Sequence, residues 1–197
     1  IGRMGLKLPA GCLESVQPRL VHARDLDSRG VQSYRRSYVN VDRTRFDGWL
    51  LEAARKTAEV RLHTRLVGVE GSDGGVIVEV ERGGISERLL AGVVIGADGA
   101  GSTVRRLCFP TVPRVPLAIA IQAWLPGCRM PARHEVLFAS RLTDFYAWAI
   151  PKDGGVLVGS AFGETRGARS RFNRILDILA RILHFECGEP EISARLI

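Results

Sequence analysis

Asp98 stands in a glycine-rich turn, Gly96-Ala97-Asp98-Gly99-Ala100-Gly101, between the apolar run Val93-Val94-Ile95 and the segment Ser102-Thr103-Val104-Arg105-Arg106. A run apolar on both faces suits a strand buried in a parallel sheet. The glycines give a turn, and Ser102 can cap the helix that follows. Strand, turn and helix N-terminus in this order place backbone N–H groups beside the carboxyl end of a sheet, where phosphates and nucleotides bind in open α/β folds. The Asp98 carboxylate can there accept hydrogen bonds from ligand hydroxyls, or serve only to build a tight βα turn. A second group with chemical potential is Phe145-Tyr146-Ala147-Trp148-Ala149-Ile150-Pro151, followed after Lys152–Val158 by Gly159-Ser160-Ala161. Strand alternation puts Tyr146, Trp148 and Ile150 on one face, so that two large rings either line an apolar cavity or pack against a core helix. Arg43, in Val41-Asp42-Arg43-Thr44-Arg45-Phe46-Asp47, stands where a chain segment enters a helix.

These motifs carry a resemblance. Gly96-Ala97-Asp98-Gly99 with Ser102 and Arg105 resembles the G-A-D-G-x-x-S-x-x-R motif of FAD-dependent oxidoreductases with the p-hydroxybenzoate hydroxylase fold. The Arg43 segment, with Leu50 and Ala53 or Ala54 behind it, is similar to that family's v-x-R-x-x-F-D-x-x-L-x-x-x-A stretch. Tyr146, Trp148, Pro151 and Gly159 match the Y-x-W-x-F-P-x(7–8)-G-x-G signature of the geranylgeranyl reductase family, while Ile150 and Ala161 depart from it. The same stretch partly resembles W-x-W-x-I-P of flavin-dependent halogenases. The resemblance implies FAD as cofactor, with Arg43, Asp98, Gly99 and Arg105 on the cofactor side and Tyr146, Trp148, Pro151 and Gly159 on the substrate side. It also implies NAD(P)H or another electron donor. It names no catalytic acid or base. The family's opening G-x-G-x-x-G and late G-D motifs are not in this sequence, which corresponds to the middle of a full enzyme, so the chain alone is expected to retain no FAD.

Composition limits the alternatives. A chain of 197 residues, 46% hydrophobic, is globular and large enough for one ordinary domain or two lobes. Its net charge of +7, from 28 Lys+Arg against 21 Asp+Glu, suits an anionic partner. Yet Arg166, Arg169, Arg171 and Arg174 are interleaved with small and apolar residues, as on a solvated helix face, and no nucleic-acid partner is expected. Cys12, Cys108, Cys128 and Cys187 lack paired spacing and read as reduced thiols; His184 and Cys187 are two ligands, too few for a metal site. No apolar stretch reaches the ~20 residues of a membrane span. A cytoplasmic protein is expected, with peripheral membrane contact left open.

The elements that must position these residues follow from pattern. Tyr34–Val41 reads as a strand and Thr44–Lys56 as a helix capped by Thr44 and Asp47. Val60–Glu70, Val76–Val80 and Ile85–Leu90 form an antiparallel meander joined by Ser72-Asp73-Gly74-Gly75 and Glu81-Arg82-Gly83-Gly84. Leu117–Leu125, Glu135–Ala139, Phe145–Ile150 and Val156–Phe162 read as one antiparallel sheet. Arg169–Phe185 is an amphipathic helix capped by Ser170 and ended by Gly188 and Pro190. The expected architecture is α/β (α+β): residues 1–110 a partial FAD-binding, Rossmann-like domain with a β-meander, and residues 111–197 an antiparallel substrate lobe with a covering helix. The expected function is FAD-dependent oxidation or reduction of a small apolar or aromatic substrate, geranylgeranyl reductase-like. The alternatives are a flavin-dependent monooxygenase or halogenase, or a non-catalytic module that binds an apolar ligand or partner.

Overall fold

The computed structural model describes residues 5–36, 38–113, 116–185 and 189–197. In chain order the elements are β1 (Leu20–Asp25), β2 (Val31–Arg35), α1 (Arg43–Arg55), β3 (Arg65–Ser72), β4 (Gly75–Arg82), β5 (Ile85–Ala91), α2 (Thr103–Cys108), β6 (Ile119–Pro126), β7 (His134–Phe138), β8 (Ala147–Lys152), β9 (Gly155–Phe162), α3 (Ala168–Leu183) and β10 (Glu191–Leu196). They divide into two compact units, Ile1–Ala53 with Ala118–Arg195, and Ala54–Leu117 with Leu196–Ile197. The sequence reading cuts the chain once, at residue 110; the first unit instead joins two separate stretches. The cause is β1, which pairs in parallel with β7, Val21 opposite His134 and Asp25 opposite Phe138.

The first unit holds a seven-stranded sheet in the order β10-β6-β9-β8-β7-β1-β2. Its centre, β6 to β9, is the antiparallel sheet expected from the sequence. Alternation sorts its two faces. Ile121, Ala123 and Leu125, Leu137, Ala147 and Ala149, and Val156, Val158 and Phe162 form the core together with Phe172, Ile175, Leu179 and Leu183 of α3. The spacing of those four α3 residues keeps one stripe on the sheet. Phe162 and Phe172 are fully buried, each worth about 1.5–3 kcal/mol of hydrophobic stabilisation. The start of α3 differs from expectation, because Gly167, at φ +70°, is its N-cap and Ser170 lies inside the helix. The left-handed His184 ends it, and the Phe185 N–H donates to the Ala180 carbonyl at 2.9 Å. Gly188, expected to end it, lies outside the described residues.

Three further expectations change. The strand predicted over 34–41 is displaced to β2, and Val41 keeps only an isolated bridge with Leu13. Helix α1 starts at Arg43 and is capped by Asp42, whose carboxylate accepts from the Arg45 N–H at 3.0 Å, rather than by Thr44. Cys128 is disulfide-bonded and buried instead of reduced, while Cys12 and Cys108 are free. Spacing carries no information on such a pairing. Cys187 lies outside the described residues.

In the second unit β3, β4 and β5 form the expected antiparallel meander. The run Val93–Ile95, expected as a buried parallel strand, is not one. It has no regular structure, and Val93 and Ile95 are 77% and 84% exposed. A strand exists only through its neighbours, and none of the described strands pairs with this run. Among the described residues no helix is long and apolar enough to cross a membrane.

Candidate functional site

The face of the large sheet opposite α3 carries a cavity of about 600 Å³. Val136 of β7, Trp148 and Ile150 of β8, and Leu157 of β9 line it from the sheet. The strap from Tyr38 to Arg43 lines it from the side. β8 shows why the sequence builds such a wall: Ala147, Ala149 and Pro151 turn into the core, leaving Trp148, Ile150 and Lys152 half-buried on the open face. Tyr146, just before β8, sits edge-on to Trp148 with ring centroids 5.8 Å apart, and Phe138 follows at 6.1 Å from Tyr146. The three rings form a continuous aromatic row.

Gly159 explains how Trp148 lies in this row. Trp148 and Gly159 are directly opposite across β8 and β9. A Cβ on Gly159 would come within 2.5 Å of Trp148 Cε2 and 2.7 Å of Nε1, so the indole lies against the bare backbone of its neighbour. Trp124 uses Gly155 in the same way, with Cη2 and Cζ2 at 2.7 and 2.8 Å from such a Cβ. Of the four residues expected on the substrate side, Tyr146 and Trp148 line the cavity. Gly159 seats Trp148 from beneath. Pro151 faces the core and contributes its carbonyl, which accepts from Asn40 Nδ2 at 2.7 Å.

The strap is fixed by polar contacts that no motif foretells. Buried Asn40 also donates from Nδ2 to the Val16 carbonyl at 2.9 Å and from its N–H to Gln17 Oε1 at 2.9 Å. Lys152 Nζ donates to the Val41 carbonyl at 2.6 Å and lies 3.3 Å from Glu14 Oε1. His134 lines the same cavity, its ring 5.1 Å from that of Tyr38 and its Nε2 buried without a hydrogen-bond partner among the described residues. Burial, and then the nearby Lys152 charge, pull the His134 pKa below its ordinary 6.5 and keep the ring neutral at pH 7. Lone residues such as Asn40, His134 and Gln122 give no sequence signal; only the fold gathers them. Arg43 is at the cavity's rim, largely exposed, with Nη2 3.1 Å from Asp47 Oδ2 one turn along α1.

The Asp98 turn belongs to the second unit. The carboxylate accepts from Ser102 Oγ at 2.5 Å, the Thr103 N–H at 2.6 Å and the Val104 N–H at 3.1 Å. Ser102 Oγ in turn accepts from the Arg105 N–H at 3.0 Å, as expected of an N-cap. These bonds, the one from Ser102 foremost, lower the Asp98 pKa to about 2. The first duty of Asp98 is thus to hold the turn against α2. Gly99 has φ +80° and nothing within 4 Å of where a Cβ would stand, which leaves its backbone open to approach. Gly96 is packed against Val104, whose Cβ would lie 2.9 Å from a Cβ at that position. The Arg105 side chain is exposed and has no hydrogen-bond or ion-pair partner among the described residues.

No family model matches the sequence. Protein CbrA of Escherichia coli O157:H7 is 30% identical over 168 residues, which are 83% of this chain and 47% of that protein. Protein CbrA of Shigella flexneri serotype 5b matches at 30% identity with 46% of its length covered. The chain spans about half the length of the curated relatives it matches. Among solved structures, a geranylgeranyl bacteriochlorophyll reductase-like protein from Thermoplasma acidophilum aligns with a TM-score of 0.79 at 16% identity, over 98% of this chain and 53% of that one. The flavin-dependent halogenase CmlS aligns with a TM-score of 0.70 at 19% identity, over 92% of this chain and 38% of that one. The myxobacterial FAD-dependent halogenase CndH aligns with a TM-score of 0.70 at 18% identity, over 94% and 49%. The mixed α/β fold implied by the sequence motifs is therefore the one found, shared with FAD-dependent flavoproteins.

Proposed function

We propose that this chain is part of an FAD-dependent oxidoreductase that acts on a small apolar or aromatic molecule, in the manner of a geranylgeranyl reductase. The observation that carries this reading is the aromatic row of Phe138, Tyr146 and Trp148 along a cavity on the open sheet face, in a fold shared with flavoproteins. A cavity of about 600 Å³ is of the size that encloses small-molecule ligands. Its walls are mostly apolar, and Asn40, Gln122, His134, Glu135, Lys152 and Arg43 are the polar and charged side chains that can set orientation.

FAD, when bound, supplies the redox chemistry, and NAD(P)H or another donor supplies its electrons. The residues proposed for the cofactor side are Arg43, Asp98, Gly99 and Arg105, each judged within its own unit. Each is suited by its own surroundings. Arg43 is at the rim of the cavity, Gly99 presents open backbone, Arg105 has an uncommitted guanidinium, and Asp98 shapes the turn that carries both. The Asp98 carboxylate acts chiefly by positioning, since it already accepts three hydrogen bonds within the chain. The cavity residues contribute orientation and exclusion of water from the substrate.

A second reading, a flavin-dependent halogenase, is favoured by the TM-scores of 0.70 with CmlS and CndH and by Ile150-Pro151 after Trp148. The rival from another class is an apolar-ligand module with no flavin chemistry. The test is Trp148→Leu in the full-length protein, with melting, flavin reduction and substrate turnover compared. The proposal requires lost turnover with flavin reduction and melting near normal. A full-length protein that binds no flavin decides for the module, and halide-dependent product formation decides for the halogenase.

A further inference from the structure

On the side of the sheet where α3 packs, away from the aromatic cavity, lies a separate groove of about 410 Å³ lined by Leu26, Asp27, Arg29, Ala139, Arg141, Leu142 and Arg174. Its floor is firm: Ala139 and Leu142 are 4% and 7% exposed and belong to the core under α3. Its rims are fixed as well. Asp25 Oδ1 accepts from the Asp27 N–H at 2.9 Å and Asp25 Oδ2 from Ser28 Oγ at 2.7 Å, which holds the β1–β2 turn. The Leu142 and Thr143 N–H groups both donate to the Ala139 carbonyl, at 2.9 and 3.1 Å. Asp27 Oδ2 accepts from the Ser140 N–H at 2.8 Å and joins the two rims.

Three arginines from three separate elements converge on this groove: Arg29 from the turn, Arg141 from the loop after β7 and Arg174 from α3. None of the three guanidiniums has a hydrogen-bond or ion-pair partner among the described residues. Arg29 moreover holds φ +57°, a left-handed conformation that an L side chain adopts at a cost glycine would not incur. An arginine kept there against its backbone preference points to a use for its side chain. With Asp27 as the one acid, three positive charges against one negative leave +2 in the groove.

We propose that this groove binds a phosphate group, carried either by a small phosphorylated molecule or by the headgroup of an anionic lipid. A phosphate monoester carries close to two negative charges at pH 7 and accepts bidentate hydrogen bonds from guanidinium groups, so it matches the groove in both charge and donors. The bound group is no substrate of the aromatic cavity, which opens on the other sheet face.

The experiment titrates this chain with inorganic phosphate at constant ionic strength against chloride, following thermal shift and calorimetry. In parallel it measures flotation with vesicles of phosphatidylcholine, with and without phosphatidic acid. The variants are Arg29→Gly, Arg141→Gln and Arg174→Gln, and the pair Arg141→Gln with Arg174→Gln. Arg29→Gly guards against misfolding, because glycine suits the left-handed position and this variant should melt no lower than wild type. The expected result is binding that is weakened about tenfold or more in the paired variant and several-fold in Arg29→Gly. Saturable binding of free phosphate identifies the small-molecule source. Binding only to vesicles with phosphatidic acid identifies the lipid source. No phosphate effect beyond that of chloride together with no preference for acidic vesicles, or binding unchanged in all variants, overturns the proposal.

Discussion

Replacing Gly159 by alanine separates a structural seat from an unused space. The added methyl would stand 2.5 Å from Trp148 Cε2 and 2.7 Å from Nε1, against an ordinary carbon contact of ~3.5–4.0 Å. The indole must therefore withdraw by about 1 Å. Gly159 is not among the positive-φ residues, so the backbone itself tolerates alanine and the cost is steric. One side of Trp148 faces the cavity, which gives the ring somewhere to go. Overpacking of this kind costs roughly 1–3 kcal/mol, which for a chain of this size lowers the melting temperature by about 2–4 °C per kcal/mol. A fall of roughly 2–12 °C is thus expected on combining the two ranges. The assay is thermal unfolding of wild type, Gly159→Ala, Trp148→Leu and the double variant, with tryptophan emission recorded in parallel. Leucine removes the ring that the methyl strikes, so Gly159→Ala should be far less damaging in the Trp148→Leu background than in wild type. Additive losses, or a Gly159→Ala protein with unchanged melting and emission, would show that the indole does not rest on this glycine.

Asp98→Ala should fray α2, seen as faster hydrogen exchange at the Thr103 and Val104 N–H groups with the β3–β5 meander unchanged; equal exchange would remove the capping role. Because the Asp98 pKa is lowered from 3.8 to about 2 in the fold, its contribution is fully present above pH 3.8 and is lost as pH falls through about 2, a dependence absent from Asp98→Ala. His134 behaves with the sign proper to a depressed base. Its folded pKa lies below the ordinary 6.5, so the unfolded chain takes up the proton first, and stability declines as pH drops from above 6.5 toward the folded value. His134→Phe should flatten that part of a melting-versus-pH profile, and an unchanged slope between pH 7 and 5 would refute the assignment.

What could be read in the sequence was whatever is encoded locally. Ser72-Asp73-Gly74-Gly75 fixes a turn, and β3 and β4 follow on either side of it. The apolar stripe of α3 needs only its own spacing. Tyr146 and Trp148 share a face because strands alternate, and they were readable as a wall, though not as a wall of a particular cavity. What could not be read depends on partners far along the chain. Val93–Ile95 has the composition of a buried strand and is exposed, since burial is a property of neighbours that composition does not contain. Asn40 becomes part of the site through the Pro151 carbonyl, 111 positions away, and nothing near Asn40 announces it. Arg43 stands at a helix entrance, as its motif implies, while the cap is Asp42 rather than Thr44, because both residue types can cap and only backbone geometry chooses between them.

The parallel pairing of β1 with β7 also sets the order of events as the chain is made. β1 and β2 emerge before the meander and can close on each other as a hairpin, but two strands alone are at best marginally stable in water. Their sheet partner begins at His134, after the stretch Ala54–Leu117 of the second unit. At a synthesis rate of ~5–20 residues per second, the hairpin waits roughly 5–20 s for β7. The meander β3–β5, with only neighbouring strands to join, can fold within that interval. Within these residues the hairpin is made before the meander and paired after it, so the edge of β1 that β7 covers stays open to wrong partners until His134 has been made.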